Sequence, residues 1–108
     1  MRKGWHMNKT ESVARKIMGW TLNRWDRWYD PEKGVFIPVS DFLPEENLDH
    51  AMLIVGRLEK FGFTYINKES GEVCFNGFCD KGETRAQAIT NAASLIASEG
   101  AALADEWM

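Results

Sequence analysis

The side chains able to do chemistry are few and scattered. His6, His50, Cys74 and Cys79 supply all the imidazole and thiol groups of the 108-residue chain. Four residues separate the cysteines and both histidines stand alone, a pattern without the paired local ligands of structural zinc sites. If residues 72–79 form one regular strand, positions five apart face opposite sides. The thiols then read as reduced, packed side chains of a cytosolic protein, and no metal or cofactor is expected. Ser12, Ser40, Ser70, Ser94 and Ser98 sit in no nucleophile-elbow context, and only the fold could bring His50 to a thiol. Asp26, Asp30 and Asp41 flank an aromatic segment and could share acid–base work, although acidic residues in loops more commonly cap turns. Gly77 and Gly82 belong to no phosphate-binding loop. The chain is therefore not expected to be an enzyme.

Binding is the better-supported class. Arg24-Trp25-Asp26-Arg27-Trp28-Tyr29 interleaves cations and aromatics, the combination needed to stack on a base. Arg24, Arg27 and Trp28 are the candidate contacts for a small nucleotide-like ligand. The competing reading makes Trp20, Trp25 and Trp28 core and edge aromatics. Trp5, Trp107 and Met108 are apolar residues near the two ends and form a candidate interaction surface, for a partner protein or for a second copy. Residues 1–29 carry seven bases and two acids, net +5, and the remainder six bases and fourteen acids, net −8. Such asymmetry can place a basic patch on an acidic body. Duplex nucleic acid is a poor fit: the helix–strands–helix order is shared with double-stranded RNA-binding domains, but their last helix is basic and here it offers only Arg85.

These groups must be held by a single small domain. Hydrophobic residues are 44% and charged residues 27% of the chain, enough apolar surface for a core. No run approaches the length of a membrane span, and the basic start, Met1 to Met7, leads into no apolar signal region. Asn8 with Glu11 predicts a capped helix near residues 9–18, ended by Gly19. Residues 20–29 predict an edge or irregular strand, Asp30 to Gly34 a turn, and Val35 to Ile37 a short strand stopped by Pro38. Leu48, Ala51, Met52, Ile54, Val55, Leu58 and Phe61 trace the apolar stripe of a helix over 46–61. Residues 63–67 and 72–79 predict a hairpin with a bulge or close approach at Gly77. Thr84 with Gln87 predicts a capped third helix with a small-residue face, Ala88, Ile89, Ala92, Ala93, Leu95 and Ile96, suited to tight packing.

Two segments carry a family resemblance. Val13-Ala14-Arg15-Lys16-Ile17-Met18-Gly19-Trp20 resembles the "VAxKVMGW" opening of the phage αβα-sandwich (phage ABA sandwich) domain family, and Arg85 to Leu95 resembles its terminal "AxAICxAAL" helix. Pro38 to Phe42 and the Ala51–Leu58 helix fall where the family has its loop and amphipathic helix. The Tyr-Ser-Thr-Asp loop is only loosely present, and Asn91 stands at the helix cysteine position. The resemblance spans about residues 9–97. It implies a bacteriophage or prophage product and an α+β, three-layer α/β/α sandwich with three helices and a small, mainly antiparallel sheet. It implies no reaction and no catalytic residues. The expected organisation is an extension over 1–8, one domain over 9–100 and a tail over 101–108. The expected role is that of a non-enzymatic accessory protein in the bacterial host cytosol, acting on host or phage proteins. A sponge for nucleotide-like signals and a small enzyme with an unrecognised site are the alternatives.

Overall fold

The computed structural model describes residues 8–100. Its elements run α1 (Lys9–Lys16), β1 (Thr21–Leu22), β2 (Arg27–Asp30), β3 (Val35–Pro38), a single 3-10 turn (Val39–Asp41), α2 (Leu48–Lys60), β4 (Tyr65–Asn67), β5 (Val73–Phe75), β6 (Phe78–Asp80) and α3 (Arg85–Gly100). The α+β class with three helices and antiparallel strands is the expected one. The strands divide, however, into two three-stranded sheets, β1-β2-β3 and β4-β5-β6, where one was expected.

Local chemistry explains the differences. Asn8 caps α1 by accepting from the Glu11 amide at 2.7 Å, but the helix stops at Lys16, and Gly19, at φ 77°, redirects the chain. The segment 20–29 is a hairpin, not one strand. Asn23 folds it, its side-chain oxygen accepting from Trp25 N at 2.9 Å and Arg27 N at 3.0 Å, an Asx arrangement that replaces a ladder with a turn. In the next turn Asp30 accepts from Glu32 N and Lys33 N, and Gly34 takes φ 68°. Asn47, not Glu46, starts α2 by capping the His50 amide. Only Ala51, Ile54, Val55 and Leu58 of its stripe are buried. Leu48 and Met52 lie in solvent, because α2 packs chiefly on one neighbour, α3, and that covers a narrow strip.

The expected strand 72–79 is also a hairpin. Phe75 pairs with Phe78 and Cys74 with Cys79 across a two-residue turn in which Asn76 takes φ 57°. Asn76 also exchanges hydrogen bonds with the Thr64 backbone. Gly77 is the second turn residue, with nothing within 4 Å of a built Cβ, so neither bulge nor close approach exists there. Val73 and Phe75 point into the core, while Cys74, Cys79 and Ile66 share the other face.

The second sheet and the other two helices are organised by α3. It packs against α1, α2, β5 and β6. Ala86, Ala88, Ile89, Thr90, Ala92, Ala93, Ile96 and Ala97 are all buried, a spread wider than one helical face. Leu95, expected inward, is exposed. The expected cap is present: Thr84 Oγ1 accepts from Gln87 N at 3.1 Å, and Gln87 Oε1 accepts from Glu83 N at 2.6 Å. Asn91 ties three segments, accepting from Lys9 Nζ at 2.7 Å and donating to the Lys81 carbonyl at 2.8 Å. The first sheet is fastened to α2 by Glu32, which receives Lys60 at 3.0 Å and Arg57 at 3.4 Å. Arg57 Nε also donates to the Ile17 carbonyl at 3.1 Å, closing the end of α1.

Two predictions follow from these fastenings. A Cβ at Gly82 would stand 2.7 Å from Ala88 N and 2.9 Å from the Gln87 carbonyl carbon, so Gly82→Ala must displace the first turn of α3. Urea unfolding is expected to show a loss of about 1–3 kcal/mol, against a change within about 0.5 kcal/mol for Gly77→Ala. The hydrogen bond and charge of Lys60, with Arg57 and Lys33 adding, hold the Glu32 carboxyl below its ordinary value of 4.5. A carboxylate lowered in the folded state stabilises above the ordinary value, and that contribution is lost as pH falls through the folded value. Glu32→Gln is therefore expected to lower Tm slightly at neutral pH, and the difference from the parent should vanish in acid.

Candidate functional site

The β1–β2 turn and the outer face of the first sheet present the most distinctive exposed surface. Register decides which side chains reach it. Thr21 pairs with Tyr29 and Tyr29 with Phe36, which places these three on one face. Leu22, Trp28 and Ile37 form the opposite row and pack into the core. Tyr29 and Phe36 touch on the outer side, ring centroids 5.1 Å apart, with Phe36 57% exposed. At the turn, Asp26 takes φ 59° and Asn23 pins the backbone on both sides of Trp25. Trp25 is thereby held outward at 67% exposure, with the Arg24 guanidinium 4.8 Å above its ring. A cation over an exposed indole contributes about 0.5–1 kcal/mol, enough to favour one ring orientation. Val39, whose amide donates to the Asp26 carbonyl, is exposed next to the turn, as is Arg27, while exposed Val35 belongs to the opposite row with Ile37.

The candidate trio is therefore split. Arg24 and Arg27 lie at the surface, but Trp28 is 2% exposed, packed beside Trp20 at 6.5 Å with Arg15 5.6 Å above its ring. It offers no face to a ligand, so the expected pocket of Arg24, Arg27 and Trp28 is not formed. Trp25, which sequence reasoning did not single out, takes the exposed place. Strand alternation puts positions 25 and 28, three apart, on opposite faces, but does not decide which of the two faces the core. Trp5, Trp107 and Met108 lie outside the described residues.

Two of the catalytic candidates, Asp30 and His50, hold backbone amides. Asp30 is buried and accepts the turn amides of Glu32 and Lys33. Asp26 is an exposed turn residue, and Asp41 an exposed residue of the 3-10 turn. His50 Nδ1 accepts from Leu43 N at 2.9 Å and its ring stacks on Phe42. The thiols, expected free and on opposite sides, are joined in a Cys74–Cys79 disulfide. The broken strand is the reason: a turn at Asn76-Gly77 sets the two residues face to face on adjacent strands. Glu72 lies on the same outer face, its carboxylate 3.2 Å from Lys68. A groove of about 390 Å³ separates the β4–β5 turn from the start of α3. Its two cations already have partners, Lys68 in Glu72, and Arg85 in the Asn67 amide oxygen at 3.1 and 2.9 Å when that amide faces it.

Helices and antiparallel strands layered around one Ala-rich helix, with an aromatic outer face and polar groups spent on turns and caps, define a small α+β sandwich domain. The family model of the phage ABA sandwich domain matches residues 11–94. The chain belongs to that family, and the association is with phage proteins. No curated protein and no solved structure matches it.

The buried indole yields a test. Trp28 Nε1 has no hydrogen-bond partner among the described residues, and burying an unpaired N–H costs about 1–3 kcal/mol. Trp28→Phe removes that donor along with part of the ring, so the two effects oppose and the net change in unfolding free energy is expected below about 1 kcal/mol. Trp28→Ala leaves the cavity and is expected to cost about 3–5 kcal/mol.

Proposed function

We propose that this phage or prophage protein acts by holding a partner protein on the outer face of its first sheet, without catalysing a reaction. The supporting observation is Trp25, 67% exposed on a turn whose backbone is fixed, on the same hairpin sheet as exposed Phe36. A rigid, amphipathic aromatic anchor loses little conformational entropy on binding and is the type of residue that dominates interface energies. Arg24 and Arg27 beside it favour a partner with an apolar centre and an acidic rim. A host or phage protein, or a second copy of this chain, fits that description, and the host cytosol is the compartment where such a partner would be met.

Photo-crosslinking tests this reading. A photoreactive residue at position 25 or 36, in bacterial cells making the protein, should give a discrete adduct. One at Glu69, on the turn between β4 and β5, should give none. Trp25→Ala with Phe36→Ala should leave Tm near that of the parent and remove the adduct formed from a probe at position 39. Adducts from position 69 alone would remove the proposed face. The nucleotide alternative is read in parallel from tryptophan fluorescence during titration with nucleotides and cyclic dinucleotides. A saturable change abolished by Trp25→Ala would replace the protein partner with a small ligand.

A further inference from the structure

The outer face of the second sheet, independent of the interaction face above, gathers a different chemistry. Cys74 and Cys79 are directly paired across β5 and β6, with Cα atoms 4.1 Å apart. The pair lies one position beyond the Phe75–Phe78 pair that closes the two-residue turn, where antiparallel partners come closest and their side chains nearly touch. Glu72, two residues before Cys74, points to the same side because strand side chains alternate. Its carboxylate and both sulfurs all lie within 4.8 Å of one another. Among the described residues this is a convergent set of two thiol-derived donors and one carboxylate on a hairpin whose turn and register are fixed.

We propose that this pair is a redox-gated metal site: as a disulfide it is closed, and as a dithiol it binds one thiophilic divalent cation of the zinc class, with Glu72 as third ligand. Two thiolates at the usual zinc–sulfur length around a tetrahedral ion stand about 3.8 Å apart, from a bond of about 2.3 Å. Cross-strand neighbours reach that separation once the S–S bond is gone. The carboxylate closes the remaining distance by rotating on its own side chain, since Glu72 is part-exposed and held only from the side by Lys68. A fourth position stays open to water, the arrangement of three-ligand zinc sites. Cys79 is partly exposed while Cys74 is buried, so an attacking reductant meets Cys79 first.

The gating step balances simply. A two-electron reductant, a dithiol in a cell or a phosphine with water in vitro, breaks the S–S bond and leaves two S–H groups. The reductant becomes a disulfide or a phosphine oxide. Metal binding then releases both thiol protons to solvent, forms two metal–sulfur bonds and one metal–oxygen bond, and frees the Lys68 ammonium from Glu72.

The test uses the whole chain, reduced with a phosphine and kept anaerobic, and titrated with Cd2+ while following the ultraviolet thiolate-to-metal absorption. Zn2+ affinity is then measured by displacement. The reduced protein is expected to bind one ion per chain with the thiolate band, and the oxidised protein to show none. Cys79→Ser should abolish the band. Glu72→Gln should keep it but weaken Zn2+ binding by tenfold or more, since even indirect partners of a metal site are worth about 10–100-fold. Loss of folding in Cys79→Ser would leave the decision to Glu72→Gln, whose altered group is part-exposed. A reduced protein without a stoichiometric band, an oxidised protein that binds equally, or a Glu72→Gln variant with parental affinity would each overturn the site.

Discussion

The layers of this protein can approach one another only because α3 is made of small residues. Ala86, Ala88, Ala92, Ala93 and Ala97 are buried, and α1, α2 and the β5–β6 hairpin all pack against the same helix. A helix covered on several sides keeps only a narrow solvent stripe, through Gln87, Ser94, Leu95 and Ser98, and on its covered sides a neighbour's distance is set largely by methyl groups. Adding methylenes in such a place costs about 1–3 kcal/mol, a large share of the stability of a domain this size. Isoleucines 89 and 96 fill the wider gaps between alanines. Close packing also leaves little tolerance for buried polar groups, and the two on α3 are satisfied. Thr90 donates to the Ala86 carbonyl, and Asn91 bridges Lys9 and Lys81. The departure of Asn91 from the family's cysteine thus has a structural use here, as a tie between the start of α1 and the loop leading into α3.

The two sheets depend on that helix to different degrees. The second is built into it, with Val73 and Phe75 fully buried and Phe78 and Tyr65 packed on the same core. The first is fastened by less: Trp28 beside Trp20, Phe42 edge-on to Trp20 at 4.9 Å, and the Glu32 pair with α2. Exposed ion pairs contribute little individually, so the aromatic cluster carries most of the attachment. One face of the first sheet therefore meets the core and the other meets solvent with aromatic rings still on it. An apolar outer face is not required by that attachment, since Tyr29 and Phe36 cover nothing in the core row.

Much of the fold was legible because its signals are local. The Asn8 and Thr84–Gln87 caps and the Asp30–Gly34 turn each follow from residues within four positions of one another, and each is present, as is the buried small face of α3 apart from Leu95. The two misread strands share a cause. Residues 20–29 and 72–79 each read as one strand because β-prone side chains run through both segments. In each, an asparagine, Asn23 or Asn76, makes a turn that propensity does not register. Missing Asn76 also misplaced the thiols, since five positions along one strand mean opposite faces, while the same five around a two-residue turn mean direct partners. The exchange of Trp28 for Trp25 as the exposed aromatic has a different origin: alternation separates the two, but which row meets the core is decided by the packing of Leu22, Trp28 and Ile37. The overestimate of the α2 stripe differs: Leu48 and Met52 have helical spacing, but which part of an amphipathic face is covered depends on how many neighbours it meets.

The polar groups also bear on the choice between binding and catalysis. Several of these groups have structural partners: Asp30 Oδ1 accepts turn amides, His50 Nδ1 accepts the Leu43 amide, and the two cysteines hold each other. Removing any of these from its partner would leave a backbone N–H unpaired, at a cost of about 1–3 kcal/mol where it is buried. The cysteines are the exception, because a two-electron reduction frees both at once without breaking a backbone hydrogen bond. Among the described candidates, the donors that one reaction can release therefore sit on the second sheet, whose strands β5 and β6 pack against α3, the helix that orders the core.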